Sequence, residues 1–252
     1  MSERKQTIFL DTSVQIERVL TESRLLEKME TVLSSPDIEA VTTFYVWMEF
    51  QRTIVDDYVH IHQTMHKHEG WGATIAHLLD GPRSFRPRSA VRCTKIIGRL
   101  YRQSYQDWAF AHDILAEQIE RGLREQFWHN VIPLTDPITC DLVKVGVIRQ
   151  NDNSYVVAST CRKEQATCHL PEFLHGQQPK LNAIADYLAS HPNAIKGQER
   201  VRQLLAAIIH DPRAALGQGA CWPLGDLIIA LQVPTDAQIW TLDPDFVALP
   251  QP

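Results

Sequence analysis

Five acidic residues stand where short apolar segments end or begin. Asp11 follows Ile8-Phe9-Leu10, Glu49 lies within Trp47-Met48-Glu49-Phe50, Asp226 opens Leu227–Leu231, and Asp243, with Asp245 just behind it, follows Trp240-Thr241-Leu242. Taken singly, each has an ordinary structural role. Asp11 can cap a helix, Asp226 can sit in a first turn favoured by the helix dipole, Asp243 can form a turn before Pro244, and Glu49 can face solvent. Taken together they have a chemistry. Carboxylates converging in one pocket repel one another until protons or a cation compensate. The cation suited to such oxygens is hard and divalent, Mg²⁺ or Mn²⁺, which activates water and polarises a phosphoryl oxygen. No obvious nucleophile for a covalent route accompanies them.

The elements that must position these residues are short. Thr7–Leu10 is a β-branched, apolar run that stops at Asp11-Thr12-Ser13, and a helical pattern begins near Val14. A second strand is expected at Ile38–Thr42 and a helix over Phe44–Val55. Strands at Val131–Leu134 and Gln238–Leu242, a helix at Thr139–Ile148 and a very apolar helix at Leu227–Leu231 complete the pattern. Short apolar strands alternating with helices predict an α/β/α sandwich around a parallel sheet, with functional groups beyond the carboxyl ends of the strands. Between these elements the spacing predicts helices over 60–80, a long helix from about Ser89 to His129, a polar turn at Gln150–Ser154, and helices at Leu181–Ser190 and Gln198–His210.

Four of these segments, in order, resemble the motifs of PIN domains, a family of metal-dependent nucleases. Ile8-Phe9-Leu10-Asp11-Thr12-Ser13-Val14 resembles the first and Thr43–Phe50 with Glu49 the second. Gly225-Asp226-Leu227-Ile228-Ile229-Ala230 resembles the third and Thr241-Leu242-Asp243-Pro244-Asp245-Phe246 the fourth. The resemblance implies a PIN-like fold whose core spans about 1–58, 131–148 and 221–252, with helical insertions at about 59–130 and 150–220. It implies Asp11, Glu49, Asp226 and Asp243 as metal ligands and catalytic residues, Asp245 as an extra or substitute ligand, and Ser13 and Thr241 as orienting hydroxyls. The implied function is an Mg²⁺- or Mn²⁺-dependent endonuclease, with RNA favoured over DNA. Two alternatives stand beside it: an inactive PIN-like module that binds nucleic acid or protein, and a phosphatase for small phosphoesters. The second is disfavoured because Asp11 is followed by Thr12 and Ser13 and not by the Asp-x-Asp pattern. The chain departs from simple PIN-domain toxins through the long segments 60–128 and 150–220.

A net charge of −5 gives the whole chain no long-range attraction for nucleic acid. From Arg83 to Gln106, however, seven basic residues occur with no acidic one, leaving −12 on the remainder. Arg88, Arg92, Lys95, Arg99 and Arg102 fall on one helical stripe, with Tyr101 and Tyr105 near its end, a pattern suited to a phosphate backbone and unpaired bases. The competing expectation pairs this stripe with acids elsewhere, such as Glu117, Glu120 and Glu125.

Weaker signals complete the reading. Cys161, Cys168, His169 and His175 are close in sequence, but they lack the spacing of common zinc sites. His60, His62, His66 and His68 share a helix that is expected to be polar and exposed, and Trp108, Phe110 and Ile114 are expected in the core. Gly217, Gly219 and Gly225 do not form a phosphate-binding loop. Five scattered cysteines, Cys93, Cys140, Cys161, Cys168 and Cys221, fit reduced thiols. No apolar run reaches membrane-spanning length and no signal peptide is evident, so the expected location is cytoplasmic with no membrane partner. A homodimer and an antitoxin-like protein partner remain open.

Overall fold

The computed structural model describes residues 5–21, 24–80, 87–135, 138, 146–157, 161, 168–191, 198–217 and 221–243. Its centre is a four-stranded parallel sheet of β1 (Gln6–Leu10), β2 (Ile38–Thr42), β3 (Ile132–Pro133) and β6 (Gln238–Trp240), in the order β3-β2-β1-β6. The register places Phe9 opposite Val41, Leu10 opposite Trp240 and Val41 opposite Ile132. The β1 residues Ile8, Phe9 and Leu10 are all buried, as expected for a parallel strand covered on both faces.

Alternation along the strands divides the core. Ile8, Leu10 and Ala40 pack with Val14 and Leu33, from α1 (Thr12–Leu20) and α2 (Arg24–Leu33). Phe9 and Val41 face a larger cluster fed by α3 (Phe44–Phe50), α4 (Asp56–Lys67) and the helices that follow. The molecule is therefore a mixed α/β fold with helices on both sides of a parallel sheet. Each strand expected from the sequence at the centre of this sheet is present in it.

A five-residue π-helical turn, Gln51–Val55, joins α3 to α4 without a break. Beyond it lie α5 (Trp71–Asp80), α6 (Pro87–Gln103), α7 (Trp108–Glu117) and α8 (Leu123–Trp128), with a second π turn at Gln118–Gly122. Arg18 ties the first helix to the entry of β3. Although fully buried, it donates to the carbonyl oxygens of Phe127 and His129 at 3.4 and 2.9 Å, to Gln15 at 2.8 Å and to Glu30 at 2.9 Å. An aromatic cluster of Trp47, Phe50, Phe127 and Trp128 packs the same seam, with ring centroids 4.7–6.3 Å apart.

Several expectations are corrected. The long helix expected over 89–129 is interrupted: Tyr105 and Gln106 adopt left-handed φ angles of 54° and 70°, and the Asp107 side chain caps a new helix by accepting from the Phe110 amide at 2.9 Å. Of the helix expected over Thr139–Ile148, residues 139–145 lie outside the described residues. Its end is a strand, β4 (Val147–Arg149), paired antiparallel with β5 (Tyr155–Val157) across the polar turn. The β-branched valines and isoleucine on both sides of that turn suit a hairpin better than a helix. Phe110 is exposed, while Trp108 and Ile114 are only partly buried against the core. His62 is buried and not exposed, its ring 4.2 Å from that of His112.

The remaining described elements are α9 (Leu170–Gly176), α10 (Gln178–Ser190), α11 (Gln198–His210), a 3₁₀ turn at Pro212–Ala215, and α12 (Gly225–Gln232). Among the described residues, no helix is long and apolar enough to cross a membrane.

Candidate active site

The carboxyl ends of β1, β2 and β6 deliver the acidic residues. Asp11 leaves β1 with extended backbone angles and caps α1, its Oδ1 accepting from the Val14 amide at 3.0 Å and from the Ser13 hydroxyl at 2.7 Å. Its other oxygen accepts from the Thr241 hydroxyl at 2.6 Å, across a sequence separation of 230 residues. The helix cap and the link to Thr241 are thus combined in one side chain. The connection continues, because the Asp243 amide donates to Thr241 Oγ1 at 2.9 Å and the Leu242 amide to Ser13 Oγ at 2.7 Å. Pairing of β6 with β1 sets this register, with the Asp11 amide donating to the Trp240 carbonyl.

Glu49 arrives from α3, whose start Thr43 caps by accepting at 3.4 Å from the Val46 amide. The Thr12 hydroxyl donates to Glu49 Oε2 at 2.9 Å. Glu49 Oε1 lies so close to Gly225 that a Cβ there would meet it at 2.2 Å. Glycine at 225 therefore lets the start of α12 approach Glu49, and Asp226, exposed in the first turn of that helix, is its next residue.

The electrostatics agree with this convergence. Loss of solvent pushes the Glu49 carboxyl up to about 7; the Arg52 charge and the Thr12 hydroxyl oppose that rise, while Asp226 and Asp11 add to it. Burial also raises Asp11, against the hydrogen bonds from Thr241, Ser13 and Val14. Glu49 thus feels both Asp11 and Asp226, and the Asp243 backbone is tied to Asp11 through Thr241. Asp245 lies outside the described residues.

Hard oxygen donors under mutual repulsion are the right chemistry for a divalent cation. Even so, among the described residues no group of three or more His, Cys, Asp and Glu side chains is arranged to hold a metal ion. Both Asp11 oxygens are engaged by hydroxyl donors, which holds the carboxylate at the rim without closing it around a centre. The same finding covers the described histidines and Cys161, Cys168, His169 and His175. Cys93, Cys161, Cys168 and Cys221 carry reduced thiols, and Cys140 lies outside the described residues.

The basic stripe on α6 is divided between partners inside the fold and solvent. Arg92 pairs with the buried Asp57, Arg99 donates to the Val19 carbonyl and the Tyr58 hydroxyl, and Lys95 stands 3.8 Å from Glu17. Arg88, Lys95 and Arg102 are exposed. Arg92 and Arg99 are thus engaged by groups within the fold, while the other three cations of the stripe reach solvent. The acids that meet it are Asp57 and Glu17, whereas Glu117 pairs with Arg121 and Glu120 with Arg149. Tyr101 packs edge-on to Trp71 at 5.2 Å, and Tyr105 is 87% exposed.

Three residues to which no site role was assigned from the sequence adjoin the site: Thr12, Arg52 and Trp222. The signal for the first two was their nearness to Asp11 and Glu49 in sequence. Arg52 falls in the π turn, a distortion that re-aims side chains and recurs at functional sites. No family model, curated protein or solved structure matches the chain.

Proposed function

We propose that this chain is a PIN-like, metal-dependent endonuclease acting on RNA. The observation that supports it is the Thr241–Asp11 hydrogen bond, which joins the two ends of the described chain where Glu49 and Gly225-Asp226 also converge. Asp11, Glu49, Asp226 and Asp243 would hold Mg²⁺ or Mn²⁺, with Asp245 as a further ligand. When bound, the ion supplies Lewis acidity and activates water for attack on phosphorus. Ser13 and Thr241 fix the Asp11 carboxylate from opposite sides, and Thr12 fixes Glu49, so the oxygens keep their directions before substrate arrives. The cation would also offset the negative charge of the carboxylates as substrate phosphate reacts, so cleavage is expected to be metal-dependent.

The test is incubation of RNA and DNA pools in Mg²⁺ and in Mn²⁺ with the wild type and with Asp226→Asn, an exposed position where the exchange leaves the fold intact. RNA should be cut by the wild type, and the variant should lose about 100-fold or more in rate, as when a group acting on transition-state charge is removed. Equal rates would refute the assignment. One observation favours a second reading, an inactive PIN-like binding module: among the described residues, the carboxylates are not arranged as a metal cage. Titration calorimetry separates the two, since the module would give no Mn²⁺ heat and the nuclease would give one that Asp11→Asn abolishes.

A further inference from the structure

The wall beside Glu49 is built from the π turn and from the turn that opens α12. The Arg52 guanidinium carbon sits 5.4 Å from the Trp222 ring centroid and 6.0 Å from that of Tyr45. Trp222 is 50% exposed, and its carbonyl accepts from the Gly225 amide at 3.2 Å, which ties its turn to the residue touching Glu49. The Tyr45 hydroxyl donates to the Cys221 carbonyl at 2.9 Å and holds the base of this wall. Arg52 is rich in donors and poor in acceptors. Its Nε is buried with no hydrogen-bond partner among the described residues, and its Nη2 reaches only the Cys221 sulfur, at 4.0 Å.

A guanidinium with donors to spare, against a half-exposed indole at the rim of an acidic pocket, has a specific complement. That complement is an anion joined to a flat ring: phosphate for the guanidinium, aromatic face for the indole. A nucleotide supplies both, provided its base is unstacked, which duplex bases are not. We propose that Arg52 and Trp222 form a subsite for one unpaired nucleotide immediately beside Glu49 and Asp226, with its phosphate on the guanidinium and its base stacked on the indole. The subsite rests on the nuclease reading for its place next to a reacting phosphate, and its consequence is selection of single-stranded over paired substrate. The two residues are positioning residues that do not take part in the chemical step.

The test measures binding with turnover switched off. Fluorescence anisotropy of a short end-labelled single-stranded RNA is recorded in chelator for the full chain and for Trp222→Ala, Trp222→Phe and Arg52→Gln, with an unlabelled duplex of the same sequence as competitor. Trp222→Ala should weaken binding roughly 5- to 150-fold, the span of one base–aromatic stack, and Trp222→Phe should restore most of it. Arg52→Gln should lower the salt slope by about one phosphate contact, a change that a structural role would not produce. The duplex should compete poorly. Wild-type affinity in Trp222→Ala, equal competition by duplex, or no binding of single strands by the wild type would each overturn the proposal. Trp222 is exposed, so its variants keep the fold and decide the matter even if Arg52→Gln does not fold. The two readings fail separately. Trp222-dependent binding alongside cleavage indifferent to Asp226→Asn removes the nuclease and keeps the subsite; the reverse pattern removes only the subsite.

Discussion

Replacing His62 with leucine should flatten the acid side of the stability profile. The His62 ring is 1% exposed, 4.2 Å from His112 and edge-on to Tyr155 at 4.8 Å, and its Nδ1 has no hydrogen-bond partner among the described residues. Burial, with repulsion from His112, His66 and Arg149, lowers its pKa from 6.5 to about 4. A histidine depressed in this way is neutral in the fold, while the unfolded chain takes up a proton below pH 6.5. The stability it contributes is therefore fully present above that pH and lost as the pH falls toward 4. A displacement of this size corresponds to roughly 3 kcal/mol, or about 6–12 °C of melting temperature in a chain of this length. Leucine occupies nearly the same volume without a titrating nitrogen and leaves no polar atom unpaired. The assay is the urea midpoint of both proteins from about pH 7.5 down to about pH 4.5, where most of the linkage is expressed. Asp11, Glu49 and Asp57 have raised pKa values and work in the opposite direction, but they are common to both proteins and cancel in the difference. Parallel profiles for the two proteins would refute the buried, neutral imidazole.

Other changes probe the frame around the carboxylates. Gly225→Ala should drive Glu49 from its seat, costing about 1–3 kcal/mol as an overpacked contact and lowering cleavage; an unchanged melting temperature would show that the approach is loose. Arg18→Met should cost about 3 kcal/mol, because it removes the 2.9 Å partner of Glu30 and the donor to the His129 carbonyl, while the Phe127 carbonyl keeps Gln15, and chemical denaturation would read the loss. Thr241→Val should remove about 1 kcal/mol and raise the Asp11 pKa further, visible as an upward move of the acid limb of the activity profile.

How far the sequence foretold this arrangement depends on the kind of information each residue carries. Ile8–Leu10 was legible because burial on both faces demands an unbroken apolar run, and Ile38–Thr42 because its β-branched residues favour a strand. Asp11 was ambiguous in sequence, cap or ligand, and the folded chain uses it as a cap while Thr241 holds its other oxygen. The stripe from Arg88 to Arg102 was legible as a row on a helix, but periodicity cannot say which of its members meet partners elsewhere. Asp57, 35 residues away, takes Arg92. The break at Tyr105 and Gln106 went unseen because left-handed backbone at non-glycine residues leaves no mark in apolar spacing. Arg52 and Trp222 gain their meaning only from meeting each other across the fold.

The sheet order β3-β2-β1-β6 also sets a schedule. Strand β1 emerges first during translation, yet its neighbour β6, and with it Thr241, comes 230 residues later. At ordinary elongation speeds that interval is on the order of 10–50 s. Throughout it Asp11 and Glu49 exist without Asp226 or Asp243, so a nascent chain beside its own messenger carries only half of the acidic cluster. The two halves can meet only after Thr241 has left the ribosome.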